Sequence, residues 1–270
     1  MTINALPSYA GLEFIQHLKK IVETDSYEAT LDKIKQIGTH IWNKSTSMRG
    51  ALNTTPDFMD SARGKLNDFI CLLPGSVPES ISPTVFLPPA VPFVPLAQKH
   101  HVVFPFPVNF SALTYPLPPY NHPDYPIARI TAPLKGGAYG GGATLTSAGF
   151  TFYSYRDPNS LKTFETYQRG IDWLLAGNFN EDAIHEAKLS EFQKEDSPIP
   201  PGSQGMKLFL ESLTPEMRNE QRERMIAVDK QQIVDFARRT FTKGTLSSAC
   251  LIGPETKEKE KGWTVVNEQG

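Results

Sequence analysis

The sequence predicts an α+β fold in which helices pack on one face of mainly antiparallel sheets. Three observations predict it. Apolar residues recur at helical spacing in segments that begin at Asp, Asn or Thr caps and stop at glycine. Short β-like runs lie between those segments, among them the aromatic stretch Phe150–Tyr155. A proline-rich tract, 74–126, holds 14 of the 23 prolines and separates two patterned regions.

Residues 9–42 read as two helices. Leu12, Ile15, Leu18 and Ile21 recur every three residues among lysines, and Leu31, Ile34, Ile37 and Ile41 repeat the pattern. Residues 47–53 read as a strand. Residues 57–73 read as a helix, with Phe58, Ala62, Leu66, Phe69 and Ile70 on one face. This helix–strand–helix stretch, 1–73, ends at Pro74, and 74–98 reads as a linker. His101–Ala112 reads as one strand, tolerating Pro105 and Pro107 only at an edge or bulge.

After residue 143 the pattern is regular. Residues 143–156 predict a hairpin turning near Ser147, Ala148 and Gly149. Asp157 and Pro158 look like an N-cap and first helical residue, followed by the stripe Leu161, Phe164, Tyr167, Ile171 and Leu174. Gly177 ends that helix, and Asn180 begins another. Thr214-Pro215 and Asp229 start two more, 246–252 is a last strand, and 257–270 is a charged tail.

The 270 residues carry a net charge of −2, which favours neither a nucleic-acid nor a membrane surface. No apolar run approaches the ~18 residues needed to span a bilayer. Cys71 and Cys250 fit buried thiols in a reducing compartment better than a disulfide framework. The first eleven residues are not Arg-rich and read as no targeting segment.

The chemistry-bearing motifs are sparse. His185-Glu186 begins like a zinc-peptidase helix, but Leu189 stands where a second histidine is required, so His185 reads as a surface residue. His100 and His101 are adjacent in a strand and point to opposite faces. A metal site from these with His122 and Asp124 is disfavoured, and no metal ligands are assigned. The glycines 136–142 lack the Gly-Lys-Ser/Thr that would make them a phosphate loop.

The most informative segment is Lys135–Asn159. Gly136, Gly137, Gly140, Gly141 and Gly142 surround a single tyrosine, Tyr139, and the segment closes on Arg156-Asp157-Pro158-Asn159. Glycine permits close backbone approach or positive φ. With Pro105–Asn109, Glu186–Ser190 and Gly253–Glu255 in order, this segment resembles the C-terminal half of presequence proteases, a mitochondrial branch of the pitrilysin-type zinc metallopeptidases.

The resemblance implies lobes of a clamshell enclosing a chamber. Residues 1–73 would end a third domain, and 99–256 would form a shortened fourth. It implies a zinc endopeptidase of the mitochondrial matrix that degrades unstructured peptides, including targeting peptides. Zinc would be held by the N-terminal catalytic half, so this chain alone is expected to be inactive. Tyr139 would contact the substrate carbonyl, with Lys135, Gly136, Gly137 and Gly140 lining the substrate. The family's arginine six residues before the tyrosine is Pro133 here. A deletion near 127–134 is expected to have removed a core helix. Arg156 and Asp157 read as structural. The alternative is a peptide-binding or purely structural module.

Overall fold

The computed structural model describes residues 15, 17–24, 27–45, 48–77, 98–134, 140–146, 149–242, 244–256 and 262–267. The chain divides into two units, Met1–Phe93 with Ile199–Glu211, and Val94–Pro198 with Ser212–Gly270. The first boundary falls inside the expected linker. The excursion 199–211 is absent from the sequence reading.

In the first unit, residues 17–23 are helical, followed by α1 (Tyr27–Ile41) and α2 (Met59–Leu72). A 3-10 turn, Pro56–Phe58, leads into α2. Residues 48–55 form no strand, correcting that expectation. A strand needs a partner for its ladder, and the described residues of this unit offer none. Asn53 instead donates to the carbonyls of Pro201 and Gln204, fastening the excursion. Arg49 lies 5.3 Å over the Phe209 ring, from the short helix α6 (Met206–Glu211). Trp42 meets Phe69 edge-on at 5.8 Å, and Lys44 Nζ donates to the Cys71 carbonyl.

The second unit is built on six strands: β1 (Lys99–Val103), β2 (Asn109–Tyr115), β3 (Gly141–Thr146), β4 (Gly149–Asp157), β5 (Ser248–Gly253) and β6 (Thr264–Asn267). Their order is β3-β4-β2-β5-β1-β6. The β3–β4, β4–β2 and β2–β5 pairs are antiparallel, and β5–β1 and β1–β6 are parallel. The single strand expected over 101–112 is two strands. Pro105 and Pro107 fall between them, where no ladder donor is needed. Both strands are interior to the sheet.

Residues 264–267, expected within a solvated tail, form β6. The β-branched Thr264, Val265 and Val266 suit a strand, and Trp263 packs 5.0 Å from the Phe164 ring.

The helix layer of this unit comprises α3 (Asp124–Leu134), α4 (Lys162–Leu175), α5 (Glu181–Glu195), α7 (Pro215–Ala227) and α8 (Lys230–Thr240), with α3 and α4 packed on one sheet face, α8 against both of them, and α5 and α7 against α3. Side-chain alternation brings Tyr115, Phe150 and Phe152 to that face, where they meet Tyr167, Phe236 and Phe241 at ring distances of 5.0 to 6.2 Å. The stripe expected on α4 is buried, with Phe164 half-buried at its edge, and Ile233 and Phe236 of α8 are buried too. Asn180 accepts from Ala183 N–H, Thr214 from Met217 N–H, and Asp229 with Gln232 closes a capping box. Gly177 ends α4 at φ +63°. Cys250 is buried in β5, and burial pushes its thiol pKa up to about 12, whereas Cys71 is exposed.

A core helix is present where a deletion was expected to have removed one. The helix α3 buries Pro126, Ile127, Ala128, Ile130, Thr131 and Ala132. Pro126 sits in its first turn, whose N–H groups have no helical partner, and Pro133 sits in its last. The prolines therefore bracket the helix.

Candidate functional site

The glycine segment joins the end of α3 to the edge strand β3. Lys135, Gly136, Gly137 and Tyr139, the expected substrate-contacting residues, lie outside the described residues. Gly140 is described, and it shows what the glycines are for at this end. Its φ is +101°, and a Cβ there would stand 2.9 Å from the Tyr155 carbonyl oxygen. The Tyr155 N–H donates to the Gly140 carbonyl. At Gly141 a Cβ would lie 3.2 Å from the Tyr153 carbonyl oxygen. Both glycines let β3 lie close against β4, so the residue after Tyr139 is tied to the sheet by its backbone.

The end of β4 carries a polar cluster beside this junction. Ser154 Oγ donates to Asp157 Oδ2 at 2.7 Å, and Thr163 Oγ1 donates to the same oxygen at 2.8 Å. The Asn159 N–H and side-chain amide both donate to Asp157 Oδ1. Burial pushes the Asp157 carboxyl up, but the bonds from Ser154, Asn159 and Thr163 outweigh it and hold the pKa below its ordinary value. Asp157 is the last residue of β4, not the cap of α4. Its carboxylate closes a turn on Asn159, two residues on, and the helix starts only at Lys162. Arg156, at φ +56°, lies 5.4 Å over the Tyr155 ring. Both residues therefore serve the architecture.

Arg129 shares a helix with Pro133, and its guanidinium is occupied by α5. Its Nε and Nη2 donate to Glu191 Oε2 at 3.1 and 2.9 Å, and Nη1 donates to Glu195 Oε1 at 2.9 Å. Lys194 and Arg218 complete the network on the same two carboxylates. The guanidinium is committed to joining α3 with α5.

Among the described residues no group of three or more His, Cys, Asp or Glu stands close enough to hold a metal ion. His101 is 3% exposed and its Nε2 has no hydrogen-bond partner. Burial lowers its pKa, against the bond to the Pro254 carbonyl and the nearby Glu255 charge. Asp124 is taken by the Arg239 guanidinium, and the Asp124 N–H donates to His122 Nδ1. His185 is exposed on α5. The chain's described residues thus do not fit a zinc site.

Residues 129–245 match the family model of the PreP C-terminal domain. The chain is 32% identical over 295 residues to the mitochondrial presequence protease of Xenopus laevis, covering 95% of this chain and 29% of that one. The Danio rerio protein is 32% identical over 297 residues, covering 98% and 29%. The chain therefore spans less than a third of the length of these relatives.

Among solved structures, a protease from Helicobacter pylori superposes with TM-score 0.53 at 13% identity, covering 71% of this chain and 52% of that one. A peptidase M16 inactive domain from Pseudomonas fluorescens superposes with TM-score 0.51 at 14% identity, covering 74% and 52%. These likenesses speak to the fold, and the sequence match carries the assignment. No described helix is long and apolar enough to cross a membrane. With 32% identity to a presequence protease over 95% of the chain, and the family-model match over 129–245, the chain belongs to the presequence protease family, a peptidase family, and carries its C-terminal domain.

Proposed function

We propose that this chain is the non-catalytic C-terminal part of a presequence-protease-like zinc metalloendopeptidase of the mitochondrial matrix. The full enzyme degrades unstructured peptides, including cleaved targeting peptides. This part supplies chamber wall and one substrate-contacting group, the Tyr139 phenol. The zinc belongs to the N-terminal catalytic half, the partner this chain requires. Lys135, Gly136, Gly137 and Gly140 lie along the substrate in this reading.

The observation that carries the reading is the Gly140 junction. A left-handed glycine, bonded through its carbonyl to Tyr155, fixes the backbone next to Tyr139 to the sheet. A rigid anchor of this kind is what a hydrogen-bond donor aimed at a carbonyl needs. The phenol donates to the carbonyl oxygen of the peptide bond under attack. Removing one such donor typically costs ~10²-fold or more in kcat.

The reading also includes a shortened fourth domain. Aligned spans of 295 and 297 residues exceed this chain's 270, which supports residues lost relative to the relatives. With Pro133 at the arginine's place, the substrate clamp is half-empty, and turnover in the assembled enzyme is correspondingly weak.

The test is hydrolysis of an unstructured fluorogenic peptide by this chain alone and with the N-terminal half of the Xenopus laevis relative. Activity is expected only in the mixture, abolished by a zinc chelator and reduced about 100-fold by Tyr139→Phe. Chelator-sensitive hydrolysis by the chain alone, or an indifferent Tyr139→Phe, overturns the reading.

A further inference from the structure

We propose that Ser154 and Asp157 are positioning residues for the substrate-carbonyl donor. Together they hold the backbone at Gly140, the residue that follows Tyr139, in its left-handed place at the start of β3. The inference rests on the reading given under the proposed function and adds two residues to it.

Two residues at this end of the hairpin have left-handed backbones, Gly140 at φ +101° and Arg156 at φ +56°. They flank one amide. The Tyr155 N–H donates to the Gly140 carbonyl, and Arg156 follows Tyr155 in the chain. Glycine adopts this conformation freely, whereas arginine keeps it only where its surroundings hold it there.

The Asp157 carboxylate does that holding. Its Oδ1 accepts from the Asn159 N–H and side-chain amide, and its Oδ2 accepts from Ser154 Oγ, three residues back. The carboxylate thus spans the left-handed residue from both sides. A turn of this kind needs only the bond to the Asn159 N–H. The bonds from Thr163 and Ser154 reach further, one to α4 and one toward β3.

Ser154 carries the rigidity across to the glycines. It pairs with Gly141 in the ladder, and its Oγ stands 3.5 Å from the Gly140 carbonyl oxygen. A Cβ on Gly141 would meet Ser154 Oγ at 3.7 Å and Cα at 3.9 Å, so the serine lies directly against the glycine backbone. Its bond to Asp157, at 2.7 Å, fixes the side-chain rotamer. Without either group the Tyr155 bond is left to hold Gly140 with less support. A misplacement of about 1 Å in a catalytic array can cost roughly 10²-fold in rate. Neither residue touches the substrate in this reading, so their loss falls on kcat rather than KM.

The experiment uses the full chain mixed with the N-terminal half of the Xenopus laevis relative and an unstructured fluorogenic peptide. Ser154→Ala and Asp157→Ala should each lower kcat about 10-fold, with KM within about 2-fold. On the Tyr139→Phe background neither should lower it further, because the group they place is gone. A purely structural role gives the same loss on both backgrounds. Amide exchange on the chain alone is the second readout. Both variants should cost the Tyr155 amide about 10-fold in protection, while the β5 amides keep theirs. Ser154→Ala removes a single oxygen and decides the matter if Asp157→Ala fails to fold. Unchanged kcat, a further loss on the Tyr139→Phe background, unchanged Tyr155 protection, or a loss shared equally by β5 overturns this inference and leaves the catalytic reading standing. An indifferent Tyr139→Phe sinks that reading and this inference together.

Discussion

Arg129 meets Glu191 through two nitrogens that share one carboxylate oxygen, at 3.1 and 2.9 Å, with both side chains nearly buried. This pair ties the helix before the glycine segment to α5. Arg129→Met takes away the cation that both Glu191 and Glu195 face in a poorly solvated place. It is expected to cost about 3 kcal/mol in urea unfolding. Glu191→Ala should cost less, about 1–2 kcal/mol, because Arg129 keeps its bond to Glu195. A single variant as stable as the wild type would show the pair to be dispensable.

Gly140 cannot accept a side chain without a backbone shift. At φ +101°, with the Tyr155 carbonyl 2.9 Å from a built Cβ, Gly140→Ala should destabilise the β3–β4 edge by about 1–3 kcal/mol. The Tyr155 amide, which bonds to the Gly140 carbonyl, should lose exchange protection, while the Cys250 amide in β5 should not.

His101 gives a pH dependence whose direction is fixed by its surroundings. Burial holds its pKa below the ordinary value of about 6.5. The folded state therefore binds fewer protons than the unfolded state in that range. The contribution is fully present above about pH 6.5 and is lost as pH falls through the folded-state value. Thermal melts below that pH should decline less steeply for His101→Leu than for the wild type. Parallel curves would remove His101 as the cause.

Asp157 acts in a lower window. Its carboxyl lies below its ordinary value because Ser154, Asn159 and Thr163 donate to it. Its stabilisation is present above the unfolded carboxylate value of about 3.9 and disappears as pH falls through the folded value. Asp157→Asn should flatten the acid limb below pH 4 and leave the His101 window untouched. Melting temperature against pH, measured for both variants, separates the two.

The sequence made most of the second unit's local structure legible, because its signals were local. Asn180, Thr214 and Asp229 cap helices through their own side chains, and Gly177 stops one in a left-handed turn. The hairpin β3–β4 followed from alternation. What failed depended on partners or on position within an element. Residues 48–53 had strand-like composition but no ladder to join. The helix over 124–134 was not anticipated, and its two prolines, Pro126 and Pro133, are tolerated because each stands in a terminal turn. Asp157 looked like a cap because nothing in its neighbours announced the turn on Asn159. Of the candidate site, the need for glycine at 140 was readable. The commitment of Arg129 to Glu191 was not, because the partners lie 62 positions apart.

The place of β1 in the sheet has a consequence for biosynthesis. It lies between β5 and β6, with His100 opposite both Cys250 and Thr264. Neither neighbour exists when β1 leaves the ribosome. Half of the sheet must wait until residues 248–267 are translated, so its assembly is late and of high contact order. Until then a nascent strand edge is exposed to whatever chaperone stands nearby.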